Sequence, residues 1–284
     1  MRDDQKIRAE FDRDALKRVC EMHEREFGDH YDMTRVKIAD VSGPEDYYYF
    51  LDRGASVLAV AHLDTVVGHK QRTATFIDTE AGEVVHSGAL DDRLGAYIIL
   101  ELLPRLGIDV DVLLTVGEES GQSTAEFFAP DKSYDWMIEF DRGGTDVVMY
   151  QYDDDNTRAA VREVGARVGD GSFSDIAFLE HLGIKGYNWG VGYQDYHSVR
   201  GHAYLDDTFM MVEYFVEFHR QNDGVFMPHE QSDPWYTKRS SSSSIWDDEE
   251  LEAETFDEDG MYFDRDYIDY PTPEDLRRAA TWVD

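Results

Sequence analysis

Cysteine is almost missing from this chain. Cys20 stands alone, so no intrachain disulfide can form, and it falls on an amphipathic stretch where it reads as a core residue. Long apolar runs are missing too. No stretch is long enough to span a bilayer, and the N-terminal MRDDQKIRAEFDRDALK is charged, without the apolar core of a secretory signal. A cytoplasmic protein is the expectation. Positive charge is scarce: 27 basic residues, only seven of them lysine, face 61 acidic ones, for a net charge of −34. Such a surface repels nucleic acid and anionic membranes, which excludes both as partners. It also repels itself in dilute buffer. In molar salt the Debye length shrinks to roughly 3 Å and most of that repulsion disappears. We therefore expect a salt-adapted, halophilic acidic protein, with a melting temperature that rises from low to molar salt. Equal melting in both would sink the idea.

What is present is enough for one large α/β domain or two small ones: 284 residues, 42% of them hydrophobic. Helical periodicity runs from about Asp3 to Phe27, over Arg93–Leu106, Thr157–Val168, Phe173–Leu182 and Asp206–Arg220. Strand patterns cover Tyr47–Leu51, Ser56–Ala61, Thr73–Ile77, Glu83–His86, Asp109–Val116, Tyr134–Phe140, Val147–Tyr152 and Lys185–Trp189. Strands alternating with helices predict a three-layer α/β fold, its central mixed and mostly parallel sheet flanked by helices. After residue 221 the composition changes. Residues 222–284 contain five consecutive serines (Ser240–Ser244) and an acidic run with interspersed aromatics, and read as a linker and tail outside a folded domain of residues 1–221. The aromatics make a protein partner for this tail an open possibility.

Chemistry-bearing residues recur just past apolar strands. His62-Leu63-Asp64 follows the strand ending at Ala61 and puts two side chains on one side of an extended segment. A metal-binding histidine needs a fixed tautomer, which a nearby carboxylate often sets, and Asp64 is placed to do so. Asp91-Asp92 opens a helix. The pair reads as helix capping or as a carboxylate shared by two cations, whose mutual repulsion at roughly 3.5–4 Å an anion between them relieves. Glu118-Glu119 follows a buried strand, where two adjacent acids are costly to desolvate without a cation. One can ligate, and the other can accept a proton from water and pass it to a leaving nitrogen. Asp141 follows the next strand, with Glu139 deeper in that strand as its rival. His197 lies in a glycine-flanked loop, with His202 as the rival ligand. The other histidines, His86 among them, are assigned no role. In open α/β sheets ligands gather outside the carboxyl ends of the strands, so three remote segments deliver these groups to one edge.

In this order the residues resemble the dinuclear zinc exopeptidase superfamily, the clan of aminoacylase, carboxypeptidase G-type enzymes and leucyl-type aminopeptidases. The resemblance spans residues 35–220 and includes Gly171–Asp175 and Gly190-Val191-Gly192. It implies that His62 and Asp141 bind one zinc, that Glu119 and His197 bind the other, and that Asp91 bridges them. It further implies that Asp64 orients His62, that Glu118 is the general base and then acid, and that the Asp91-Asp92 peptide bond is cis. Two divalent ions are expected, zinc before cobalt or manganese. The lid or dimerisation domain that one branch carries between the fourth and fifth ligand has no room here, where 197 − 141 leaves 56 positions. Hydrolysis of a peptide or acyl-amino-acid substrate is implied, cleavage from the amino end being favoured over an N-acyl amino acid or small-amide hydrolase. A catalytically silent assembly protein on the same fold is the alternative from another class.

Overall fold

The computed structural model describes residues 3–38 and 46–231. The serine run and the acidic tail lie outside them. By compactness the chain divides into a unit of Met1–Asp78 with Gly82–Gln231 and a second of Thr79–Ala81 with Ser232–Asp284. All that follows concerns the first.

The described residues form twelve strands: β1 Thr34–Lys37, β2 Tyr47–Leu51, β3 Val57–His62, β4 Thr75–Thr79, β5 Gly82–His86, β6 Asp111–Thr115, β7 Trp136–Glu139, β8 Asp146–Val148, β9 Arg167–Val168, β10 Gly186–Trp189, β11 Tyr193–Gln194 and β12 His202–Tyr204. Eight form one sheet in the order β1-β2-β6-β3-β7-β10-β8-β9, and four form a small sheet in the order β11-β12-β5-β4. The middle of the large sheet is parallel: β3 pairs with both β6 and β7, and β7 with β10. Every residue of these four strands is buried, which explains their almost uninterrupted apolar sequences. Among the described residues seven α-helices accompany the sheets: α1 Asp3–Glu10, α2 Arg13–Glu21, α3 Phe27–Tyr31, α4 Leu90–Tyr97, α5 Leu103–Leu106, α6 Asp155–Glu163 and α7 Leu205–Asn222. The chain leaves β3 for β6 on one side and later returns to β7 on the other. This reversal opens a crevice at the carboxyl end of β3.

Four expectations need correction. The long N-terminal helix is broken, because the Asp12 carboxylate accepts from Asp14 N and Ala15 N and starts α2 afresh. Phe11, freed from the helix, packs edge-to-face on Phe76, Tyr97 and Phe209. The strand expected over 147–152 ends at Val148, where the chain turns through Tyr150 at φ 47°. The helix expected to reach Val168 stops at Glu163, and Arg167–Val168 joins the sheet edge as β9. The helix expected over 173–182 is a 3₁₀ helix, Asp175–Leu182. The start of the expected linker is also tied down: Met227 N donates to Asp135 O, Lys185 N to Met227 O and His229 N to Gly183 O, each at 2.9 Å. We therefore propose moving the domain boundary from residue 221 to about Gln231.

One buried ion network fastens the site's supports together. The Arg93 side chain, fully buried at the start of α4, donates to Val19 O (3.2 Å), Leu63 O (2.7 Å) and Glu24 Oε1 (3.3 Å). Arg72 reaches the same Glu24 oxygen at 2.6 Å. Burial pushes the Arg93 guanidinium down to about 10, against the pull of Glu24. Burial would raise the Glu24 carboxyl, but backbone hydrogen bonding and the two arginines outweigh it and hold it below its usual value. Glu24→Gln leaves two enclosed guanidinium groups without a counter-charge and is expected to cost about 3–5 kcal/mol in urea unfolding. A loss under about 1 kcal/mol would show that the network is not needed. Because the folded pKa is depressed, this contribution is complete above about pH 4.3 and is lost as pH falls through the folded value.

Candidate metal centre

His62 is the last residue of β3, and its ring is fully buried. Its Nδ1 lies 3.0 Å from the backbone carbonyl of Asp64. A carbonyl only accepts, so Nδ1 carries the proton and the lone pair of a neutral ring sits on Nε2. That nitrogen faces Asp91 Oδ1 at 3.2 Å, Asp141 Oδ1 at 3.7 Å and Glu118 Oε2 at 3.9 Å. The orienting group is therefore the Asp64 backbone. The Asp64 carboxylate is 3.7 Å from Nδ1, and its Oδ2 accepts from Glu119 N at 3.1 Å instead.

Asp91 and Asp92 divide the two roles open to them. Neither has helical dihedrals, and the peptide bond between them is cis. Asp92 Oδ1 accepts from Gly95 N at 3.2 Å and caps the helix. Asp91 is left to face the cleft. Arg93 does not hold either carboxylate, since it is spent on Glu24 and two carbonyls.

Glu118 and Glu119 stand on a 3₁₀ turn, Glu118–Ser120, immediately after β6. Gly117 makes that turn at φ 86°, a conformation open to glycine but disfavoured for other residues. Asp141 is clamped from β10: its N–H donates to Asn188 Oδ1 (3.0 Å), and Asn188 Nδ2 donates back to its carbonyl (2.8 Å). Glu139 points elsewhere, fully buried and hydrogen-bonded by Ser174 Oγ. His197 Nε2 lies 3.1 Å from both Asp91 Oδ2 and Glu119 Oε2. His202 is on β12, outside this cluster, with Nδ1 on Arg200 O.

Two donor groups result, His62/Asp91/Asp141 and Asp91/Glu119/His197, with Asp91 common to both. The electrostatics fit a cation in each. Burial first, then Asp141, Asp175 and Asp91, push Glu118 up to about 8, with His62 opposing. Burial and Asp91 push Glu119 up to about 7. Asp141 is raised by burial and by Asp91. Burial disfavours a proton on His62, yet Asp141, Asp91 and Asp64 outweigh it and hold the imidazole well above its ordinary value. His197 rises to about 9 through its hydrogen bond to Asp91. The cluster holds more negative charge than its own side chains neutralise, and protons take up the excess. Buried oxygens of Asp64, Asp92 and Glu119 also lack a partner among the described residues. Oxygen and imidazole donors of this kind suit a divalent cation.

Several supporting residues escaped the sequence reading. Tyr193 Oη donates to Asp141 Oδ1 (2.9 Å) and Asp92 Oδ1 (3.3 Å), joining two carboxylates from β11. Asp175 is buried beneath the centre, accepting from Thr115 Oγ1 (2.5 Å) and from Ser123 Oγ. Their local signals were the Gly-Val-Gly run before Tyr193 and the Gly171–Asp175 stretch. Gly190 is needed there because a Cβ would sit 2.5 Å from Gly144 O. A cleft of about 560 Å³ opens over the cluster, lined further by Arg142, Tyr150, Asp170, Phe173 and Tyr196. Among the described residues no helix is long and apolar enough to cross a membrane.

Acids and His62 thus gather at the carboxyl ends of parallel strands and His197 meets them from the small sheet, an arrangement that suits a metal-binding α/β enzyme. The model of Peptidase family M28 matches residues 39–204. The chain belongs to that family and is a metallo-exopeptidase, a hydrolase of peptide bonds. No curated protein sequence matches it. Among solved structures it is similar to a tripeptidase from Staphylococcus aureus subsp. aureus Mu50 (11% identity, 76% of this chain, 97% of that chain, TM-score 0.53). It is also similar to aminopeptidase PepT from Bacillus cereus ATCC 10987 (12%, 76%, 98%, 0.51) and a TET aminopeptidase from Thaumarchaeota archaeon SCGC AB-539-E09 (14%, 74%, 97%, 0.50). At these identities the likeness establishes the zinc-exopeptidase-like fold.

Proposed function

We propose that this chain is an aminopeptidase-type exopeptidase with two divalent cations, zinc fitting the donor set best. His62 and Asp141 hold one, Glu119 and His197 the other, and Asp91 both. When bound, such ions polarise the scissile carbonyl and make a nearby water acidic enough to attack near neutral pH. Glu118 belongs to neither donor group and faces the same space. It accepts the proton of the attacking water and returns it to the leaving nitrogen. Asp64 acts by position, its carbonyl fixing the His62 tautomer and its carboxylate holding the backbone of Glu119.

The observation that most directly supports this reading is the placement of Asp91. Its two oxygens face two imidazoles, Oδ1 at 3.2 Å from His62 and Oδ2 at 3.1 Å from His197. Selection for a free amino end follows from the cleft's charge. Its lining is acidic at Glu118, Glu119, Asp141 and Asp170, and its one arginine is bound at Nε and Nη2 by Asp146. An ammonium is therefore favoured there over a free carboxylate.

The test is a paired panel of aminoacyl and N-acetyl-aminoacyl amides with zinc-loaded protein. Hydrogen bonds to a charged group are worth about 1.5–3 kcal/mol, so the free-amino substrates should be preferred by about 10–100-fold in kcat/KM. Preference for the acetylated series would make the chain an N-acyl amino acid hydrolase. No turnover, with no metal uptake, would leave the assembly-protein reading.

A further inference from the structure

His197 is the least supported of the five proposed ligands. Its side chain is 53% exposed, whereas those of His62, Asp91, Glu119 and Asp141 are 0–10% exposed. It rides on the loop between β11 and β12, where both His197 (φ 58°) and Asp195 (φ 50°) take the left-handed conformation. Side chains other than glycine disfavour that region, so the loop needs outside support to persist.

The support comes from two histidines that bind nothing else in the cleft. His202 on β12 and His86 on β5 are register partners across the small sheet. His202 is almost fully buried, and its Nδ1 donates to Arg200 O at 3.0 Å. His86 lies against the backbone of Val199, which favours a proton on its ring. Between them Ser87 N donates to Gly201 O at 2.9 Å. Two consecutive backbone units of the His197 loop, residues 200 and 201, are thus tied to residues 202 and 87, with His86 packed beside them. The packing is too close for a side chain at Gly201, whose Cβ would lie 2.8 Å from Ser87 O. From Ser87 the chain runs directly into α4 and Asp91. The same strand end anchors the loop that brings His197 to within 3.1 Å of Asp91.

We propose that His86 and His202 are a positioning pair for His197, and that they set the affinity of the cation held by Asp91, Glu119 and His197 independently of the other one. The inference rests on the two-cation reading above. It makes the two ions unequal. The one at His62 sits on strand ends and buried side chains, while the one at His197 depends on a loop pinned by two imidazoles.

The experiment is a calorimetric zinc titration of chelator-stripped full-length protein, repeated with cobalt(II), whose visible absorption follows each equivalent. The wild type is expected to take up two. In His86→Ala and His202→Ala the first equivalent should bind as in wild type, and the second about 10–100-fold more weakly. His202→Asn keeps an amide N–H near the position of Nδ1 and is expected to restore the second equivalent. Should His202→Ala fail to fold, His86→Ala and His202→Asn carry the test. A wild-type chain that takes up fewer than two equivalents refutes the two-cation reading and the inference with it. Uptake of two by the wild type, with the second equivalent unchanged in both alanine variants, refutes the inference alone. Equal weakening of both equivalents refutes it as well, since that is general loosening.

Discussion

Glu118→Gln is expected to lower kcat by about 10²–10⁴-fold while both cations remain bound, the range general acid–base catalysis contributes. Glutamine has the same shape, and residue 118 is in neither donor group, so the metal should be indifferent to the change. What disappears is the acceptor for the water's proton. Burial and the surrounding carboxylates push the Glu118 carboxyl up to about 8. Bound cations act in the opposite direction, toward a value from which a base works near neutrality. Because the base must be ionised, the rate should fall as pH drops through that value. Metal analysis beside single-turnover rates provides the check. Undiminished hydrolysis by a variant with full metal content would remove Glu118 from the mechanism.

Asp91→Asn is expected to act on the metal rather than on the proton. The substitution keeps the volume of a side chain that is only 9% exposed but removes the one negative charge standing between the two donor groups. Two divalent ions held close together repel strongly, and the shared anion is what allows both to stay. Metal content should fall from two equivalents to one or none, and kcat/KM by more than about 10³-fold, or roughly 4 kcal/mol in transition-state stabilisation. Plasma emission analysis after gel filtration measures this directly. Two retained equivalents would mean that Asp91 is not shared.

The two variants also separate the reading into parts. Glu118→Gln addresses chemistry with the centre intact, and Asp91→Asn addresses the centre itself. Loss of metal in Glu118→Gln would place Glu118 among the ligands. Retention of metal with lost turnover in Asp91→Asn would make Asp91 a catalytic group instead.

Much of this was legible before any coordinates. His62, Glu118, Glu119 and Asp141 each follow a run of apolar residues, and a run buried on both faces leaves little freedom in where it ends. His197 and Asp91 were legible only through their place in the order of motifs. Asp91 and Asp92 are chemically identical neighbours, and only the dihedrals of the turn decide that Asp92 caps the helix while Asp91 faces the cleft. Nothing local marked Arg93, next to the aspartates, as a partner of Glu24 and of the Val19 and Leu63 carbonyls. Tyr193 and Asn188 carried no motif of their own and Asp175 only closed the Gly171–Asp175 stretch, since each acts through a partner 14 to 101 residues away in sequence.

The local pattern alone therefore determined the layered α/β fold and the strand ends on which the acids and His62 stand, because a strand enclosed on both faces must be apolar along its length and polar where it emerges. It also determined the acidity and the lack of any disulfide. The tertiary structure alone decided which carboxylate faces which imidazole, that the Asp64 carbonyl selects the tautomer of His62, and that His86 and His202 hold the loop of His197. Those outcomes depend on hydrogen bonds a few ångströms long between segments far apart in the chain, and no local periodicity encodes a distance of that kind.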